Sequence, residues 1–84
     1  MQIMEAQLLK LLRSDPDLAA RGCTAEPQTT GGIAILRRGH YRGLWAWQGT
    51  LFAFTPGGYG APNYEVAAAV EALLHTRNVI CPGQ

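Results

Sequence analysis

Two cysteines, two histidines and a few carboxylates are the side chains in this sequence best suited to act as nucleophile, base or metal ligand. Cys23 would need a histidine beside it to serve as an activated nucleophile. His40 stands among Arg37, Arg38 and Arg42, next to Tyr41. His75 lies near the end of a helix-forming stretch, where a protonated imidazole would complement the dipole. Spacing brings none of these together: the chain holds no GxSxG, no HExxH and no CxxC pair. His40 reads as an exposed turn residue and His75 as a helix C-terminal residue. Asp15 and Asp17 flank Pro16 as a capping residue and a first-turn acid would, which accounts for both without a metal. Glu65 and Glu71 are six apart, too far to share a helix face closely. The expectation is a protein with no enzymatic activity, no metal and no cofactor.

Two stretches carry binding chemistry. Arg37, Arg38, His40 and Arg42, with Tyr41, form a basic hairpin that would suit nucleic acid, although the chain as a whole has a net charge of only +1. The run Pro56-Gly57-Gly58-Tyr59-Gly60-Ala61-Pro62 precedes Asn63, a helix-capping residue type. A glycine-rich loop entering a helix can cradle an anion on backbone N–H groups. A small-ligand or anion site at Gly57, Gly58, Tyr59 and Gly60, beside Tyr64, is therefore a further reading. No Lys-Ser/Thr pair follows and no βαβ unit is present, so neither the P-loop nor the dinucleotide fingerprint applies.

The elements that hold these residues centre on Gly31 to Tyr64. Ile33–Arg38, Tyr41–Gln48 and Thr50–Thr55 read as three strands, rich in β-branched and aromatic residues and separated by glycines. Gly39-His40 suits a type II′ turn, and Gln48-Gly49 a weaker two-residue turn. Pairing then places Trp47 opposite Thr50, Trp45 opposite Phe52, Gly43 opposite Phe54 and Leu36, and Ala34 opposite Trp45. Alternation puts Ala34, Leu36, Tyr41, Trp45, Trp47, Phe52 and Phe54 on one face, and Ile33, Ile35, Leu44, Ala46, Leu51 and Ala53 on the other. Neither face is polar, so each needs a cover.

Before the strands, residues 2–13 carry Met4, Leu8, Leu11 and Leu12 on one helical stripe, widened by Ile3 and Leu9. Glu5, Gln7, Lys10 and Arg13 take the wet side. Pro16 to Arg21 reads as a helical turn with Leu18 tucked inward and Gly22 as its stop. Residues 22–32 read as a connector, where nothing specifically supports an extra strand near Cys23–Ala25. After the strands, Tyr64 to Arg77 reads as a helix with Val66, Val70, Leu73 and Leu74 buried. Val79, Ile80 and Cys81 form an apolar tail.

The predicted fold is α+β over residues 1–84 as one domain: an N-terminal helix, a three-stranded antiparallel meander and a C-terminal helix. That order is similar to the order of double-stranded-RNA-binding domains, but the segment PNYEVAAAVEAL lacks their basic cluster. Tyr41-Arg42-Gly43, the alternation at Trp45 and Trp47, and the alanine-rich helix look like plant-type and integrase-type DNA-binding domains, whose exposed strand residues are basic or polar rather than apolar.

Charged residues make up 15% of the chain and hydrophobic residues 48%, against about 25% charged in an average soluble domain. So little polar surface on so small a domain predicts a homodimer or a stable protein partner. The aromatic face, with Trp45, Trp47, Phe52, Phe54 and Tyr41, is the candidate contact. Two cysteines are too few for a disulfide scaffold. They read as reduced structural thiols in the cytoplasm and would be available to pair in an exported protein. No run reaches the ~20 apolar residues that span a bilayer, and MQIMEAQLLKLLRSD lacks the features of a signal peptide. The expectation is a cytoplasmic interaction protein. Small accessory proteins of phages and mobile elements are similar in size and style.

Overall fold

The computed structural model describes residues 2–58 and 63–83. Helix α1 (Ile3–Ser14) and the short helix α2 (Pro16–Ala20) come first. They are followed by β1 (Cys23–Pro27), β2 (Ile33–Arg37), β3 (His40–Trp47), β4 (Phe52–Pro56) and β5 (Tyr64–Val66). Helix α3 (Ala69–His75) runs directly into a π-helical turn, Thr76–Ile80. The expected α+β class with an antiparallel sheet and helices at both ends is present. Among the described residues, however, the sheet has five strands in the order β1-β2-β3-β4-β5, not three.

The two additional strands are the sheet's edges. β1 occupies the expected connector, and its terminal Pro27 is tolerated because an edge strand has one unpaired side. Arg13 Nε occupies part of that unpaired side by donating to the Ala25 carbonyl at 3.2 Å. β5 takes the start of the expected last helix: Val66 pairs with Phe52 and Tyr64 with Phe54. The helix begins later, with Ala68 rather than Asn63 at the N-cap, and the Ala68 N–H donates to the Glu71 carboxylate at 3.1 Å. This shift rotates the predicted stripe. Val70 and Leu74 are 56% and 42% exposed, while Ala72 and Thr76 are fully buried.

Both predicted turns also differ. The first is Arg38-Gly39, with φ of 52° and 83°, because Arg37 pairs with His40. Two positive φ values define a type I′ geometry. The second turn spans four residues, 48–51, closed by the Gln48 N–H donating to the Leu51 carbonyl at 2.8 Å. Only Gly49 there has positive φ, which spares Gln48 a conformation it accepts poorly.

These turns have unequal consequences. The second shifts β3–β4 pairing by two residues, to Trp45–Phe54 and Trp47–Phe52, so side-chain faces are unchanged. The first combines with a β-bulge. Leu36 pairs with Tyr41 and Ile35 with Gly43, leaving Arg42 as the added residue. Ile33 now lies opposite Trp45 and Ala34 opposite Leu44, an odd-numbered change that turns β2 over. The expected division into an aromatic and an aliphatic face is therefore replaced. Ile33 and Ile35 join Trp45, Phe52, Phe54 and Val66 in the core, against Leu8, Leu9, Leu12, Leu18, Ala72 and Cys81.

Trp45 is fully buried at the centre of this cluster, its ring 5.0 Å from Phe54 and 6.4 Å from Phe52. Its indole N–H needs a partner once water is excluded. Thr76 Oγ1 accepts it at 2.9 Å, and the Thr76 hydroxyl in turn donates to the Ala72 carbonyl at 2.8 Å. Glu5, expected on the wet face of α1, is also buried. Its carboxylate accepts the Gly32 N–H at 3.0 Å and the Trp47 N–H at 2.9 Å, so one side chain docks α1 onto two strand ends. Asp15 caps α2 through the N–H groups of Asp17 and Leu18 and pairs with Arg77. The Arg77 hydrogen bond outweighs burial and holds the Asp15 carboxyl below its ordinary value.

Gly43 carries the bulge. Its φ is 150°, and a Cβ built there would lie 2.6 Å from the Thr55 carbonyl oxygen, which is backbone and cannot swing away. Gly43→Ala is expected to lower unfolding free energy by about 2 kcal/mol or more, measured by urea denaturation. A change within experimental error would show that the bulge does not require glycine.

Candidate functional site

All the helices gather on one side of the sheet. The core cluster draws every strand residue from that side: Cys23, Ala25, Ile33, Ile35, Trp45, Phe52, Phe54 and Val66. The strand residues between them point the other way. This outer face carries Ala34 and Leu36 from β2, Leu44 and Ala46 from β3, and Ala53 from β4, paired as Ala34–Leu44 and Ala46–Ala53. Thr24 and Glu26 on β1, Thr55 on β4 and Glu65 on β5 border them and are exposed. Leu36, Leu44 and Ala46 are half-buried, while the smaller Ala34 and Ala53 sit low between their neighbours. The result is a strip of small and medium apolar side chains with a polar rim, bounded at its Leu44–Ala46 end by a cleft against the 28–32 loop. No described helix contributes to it.

The residues expected to make a contact surface separate accordingly. Trp45, Phe52 and Phe54 are buried beneath the helices, and Trp47 packs half-buried at the margin of the same core. They take no part in an outer surface in this fold. Tyr41 is the exception. Paired with Leu36, it lies on the outer face, 54% exposed, with its ring over Gly57. Leu36, Leu44, Ala46 and Ala53 were not expected at a site; simple alternation groups Leu44, Ala46 and Ala53 on one face, but Leu36 joins them only through the bulge parity, which no residue pattern announced.

The basic hairpin is dispersed. Arg38 and His40 are exposed at the turn, while Arg37 Nη1 donates to the Pro82 carbonyl at 2.9 Å. Arg42, re-aimed by the bulge, lines a cleft on the helix side. That cleft, of about 410 Å³, lies between the β4–β5 end of the sheet and the π-helical turn. Phe54, Pro56, Val79 and Ile80 provide apolar lining; Arg42, Asn63, Tyr64 and His75 provide polar groups. The imidazole of His75 stacks on Tyr64 with centroids 3.7 Å apart and planes within 6°. Of the anticipated loop site, Gly57 and Gly58 are exposed, and Tyr59 and Gly60 lie outside the described residues.

His40 and His75 make no hydrogen bond to a cysteine among the described residues, and no three potential metal-ligating side chains converge there. Nor is any described helix long and apolar enough to cross a membrane. Comparison with known proteins gives no matching family model, no matching curated protein and no matching solved structure.

Burial of His75 disfavours its charged form and pushes its pKa below the ordinary 6.5. The unfolded chain therefore binds this proton more tightly. Its contribution to stability is fully present above pH 6.5 and is lost as pH falls from there towards the folded pKa. An NMR titration is expected to show the His75 ring midpoint below the ordinary 6.5. A midpoint at or above 6.5 would contradict the desolvated, stacked environment.

Proposed function

We propose that this chain is a small non-catalytic accessory protein that acts through protein–protein contact, and that a second copy of itself covers the outer face of its sheet. The observation that carries this reading is the one-sided placement of the helices, which leaves the half-buried Leu36, Leu44 and Ala46, with Ala34 and Ala53 low between them, outside the helix-side core and with no described helix packed over them. An antiparallel sheet that faces water normally alternates apolar with polar residues. Here the polar residues are confined to the margin, the arrangement of an interface core and rim.

A second copy suits the surface better than an unrelated ligand. Small side chains keep the face low, and apolar sheet faces stack at about 10 Å. A two-fold axis would set the Leu36 and Leu44 projections of one copy over the alanines of the other, a self-complementary contact. The two-layer molecule measures 33 × 30 × 23 Å, a scale that accommodates the ~800 Å² per partner of a stable interface. The exposed Val70, Leu74 and Val79 on the helix side are a weaker candidate, because Glu71, Arg77 and Asn78 interrupt them.

A second reading follows from the cleft beside Tyr64. An apolar lining with the guanidinium of Arg42 beside it matches a small aromatic carboxylate, a chemistry that the outer sheet face does not provide. Benzoate added to labelled protein should shift Tyr64, His75 and Val79 resonances in a saturable way, and Arg42→Ala should weaken that binding about 10-fold. Absence of saturable shifts would remove this reading.

For the leading proposal, light scattering over a range of loading concentrations is expected to give twice the chain mass. Leu36→Asp should raise the dimer dissociation constant ~100-fold or more while leaving the circular dichroism spectrum unchanged. A wild-type protein that remains monomeric at every concentration would overturn it.

A further inference from the structure

We propose that Cys23 and Cys81 form a disulfide, a covalent clasp that ties the C-terminal turn to the edge strand β1. The two sulfur atoms lie 2.7 Å apart, inside ordinary van der Waals contact, and both side chains are buried. The contact joins residues 58 positions apart.

Independent contacts hold each partner in place. Arg21 Nη1 donates to the carbonyls of Arg77 at 2.8 Å and Cys81 at 3.1 Å. Arg37 Nη1 anchors the next carbonyl, that of Pro82, and the Cys81 N–H closes the π-helical turn on the Thr76 carbonyl at 2.8 Å. On the other side, Cys23 opens β1 directly after Gly22, whose carbonyl accepts the Arg38 N–H at 2.8 Å. Two arginines thus bring the tail to the strand, and the thiols meet where they converge.

The oxidant is a small-molecule disulfide such as oxidised glutathione. One cysteine thiolate attacks it and expels one glutathione thiolate, forming a mixed disulfide. The second cysteine thiolate then attacks the protein-bound sulfur and expels the other glutathione. The protein loses two hydrogens, one S–S bond forms, and two glutathione thiols are produced. Burial, with the neighbouring Cys81 thiol, pushes Cys23 up to about 12, so the thiolate is scarce in the closed fold. The bond therefore forms while the tail is open, during folding or local opening, and is sheltered from external thiols once closed.

The full chain would be refolded from denaturant in a glutathione redox buffer and, separately, with excess reductant. In the redox buffer, intact mass should fall by two hydrogens, no thiol should alkylate on denaturation, and a peptide map should link Cys23 to Cys81. Closing so long a loop should raise the thermal midpoint over the reduced form by on the order of 10 °C. Cys81→Ala should show no oxidation-dependent change in midpoint. Two alkylatable thiols after refolding in the redox buffer, or stable glutathione adducts in place of the internal link, would overturn the proposal. The wild-type mass decides even where the variant does not fold.

Discussion

The added residue at Arg42–Gly43 decides which way every side chain of β2 points. With it, Ile33 and Ile35 face Trp45 and the helices, and Ala34 and Leu36 face out. Without it, alternation would exchange the two sets and place small alanine where a β-branched side chain now fills the core. Gly43 permits the bulge because a Cβ would collide with the backbone of β4. The same irregularity sends Arg42 to the helix side, so one local feature sets the core, the outer face and the polar edge of the cleft.

Closure of the molecule depends on a second set of contacts, made late in the chain. Trp45 is buried early in the sheet sequence, yet its indole partner, Thr76, comes from the π-helical turn. Arg77 in that turn reaches the Asp15 carboxylate at the α1–α2 corner, and Arg21 takes two carbonyls of the same segment. The C-terminal segment therefore completes hydrogen bonds that the sheet and the N-terminal helices leave open. A buried indole N–H left without an acceptor costs about 1–3 kcal/mol, and the Thr76 hydroxyl removes that cost while donating to the Ala72 carbonyl. Glu5 plays the equivalent part at the opposite end, satisfying two strand N–H groups from α1.

Much of this architecture was readable from residue patterns, and the parts that were not share a physical cause. The stripe Leu8, Leu12 with Leu9, the Asp15-Pro16 cap, the Gly22 stop and the antiparallel strands of the central sheet all follow from local periodicity and turn chemistry. β1 and β5 escape a reading of local pattern because they are short: CTAE and YEV alternate apolar and polar residues over too few positions to tell a strand from a connector or a helix start, and pairing with β2 and β4 makes them strands. Two apolar sheet faces were legible, but their membership was not. Register depends on one extra residue in β3, and no side chain marks a bulge when the glycine beside it reads equally well as a turn. Glu5 is misplaced for a related reason: a charged residue beside an amphipathic stripe signals solvent unless the N–H donors that meet its carboxylate are known.

The functional account rests on the outer face being consumed by a second copy, with low charge content and a polar rim as its context. The most direct measurement is isotope-filtered NOE spectroscopy on a mixture of labelled and unlabelled protein. The account predicts intermolecular contacts from the methyl groups of Ala34, Leu36, Leu44, Ala46 and Ala53, with none from the buried Ile33 and Ile35. Contacts confined to Val70, Leu74 and Val79 on the helix side, or no intermolecular contacts at millimolar concentration, would contradict it.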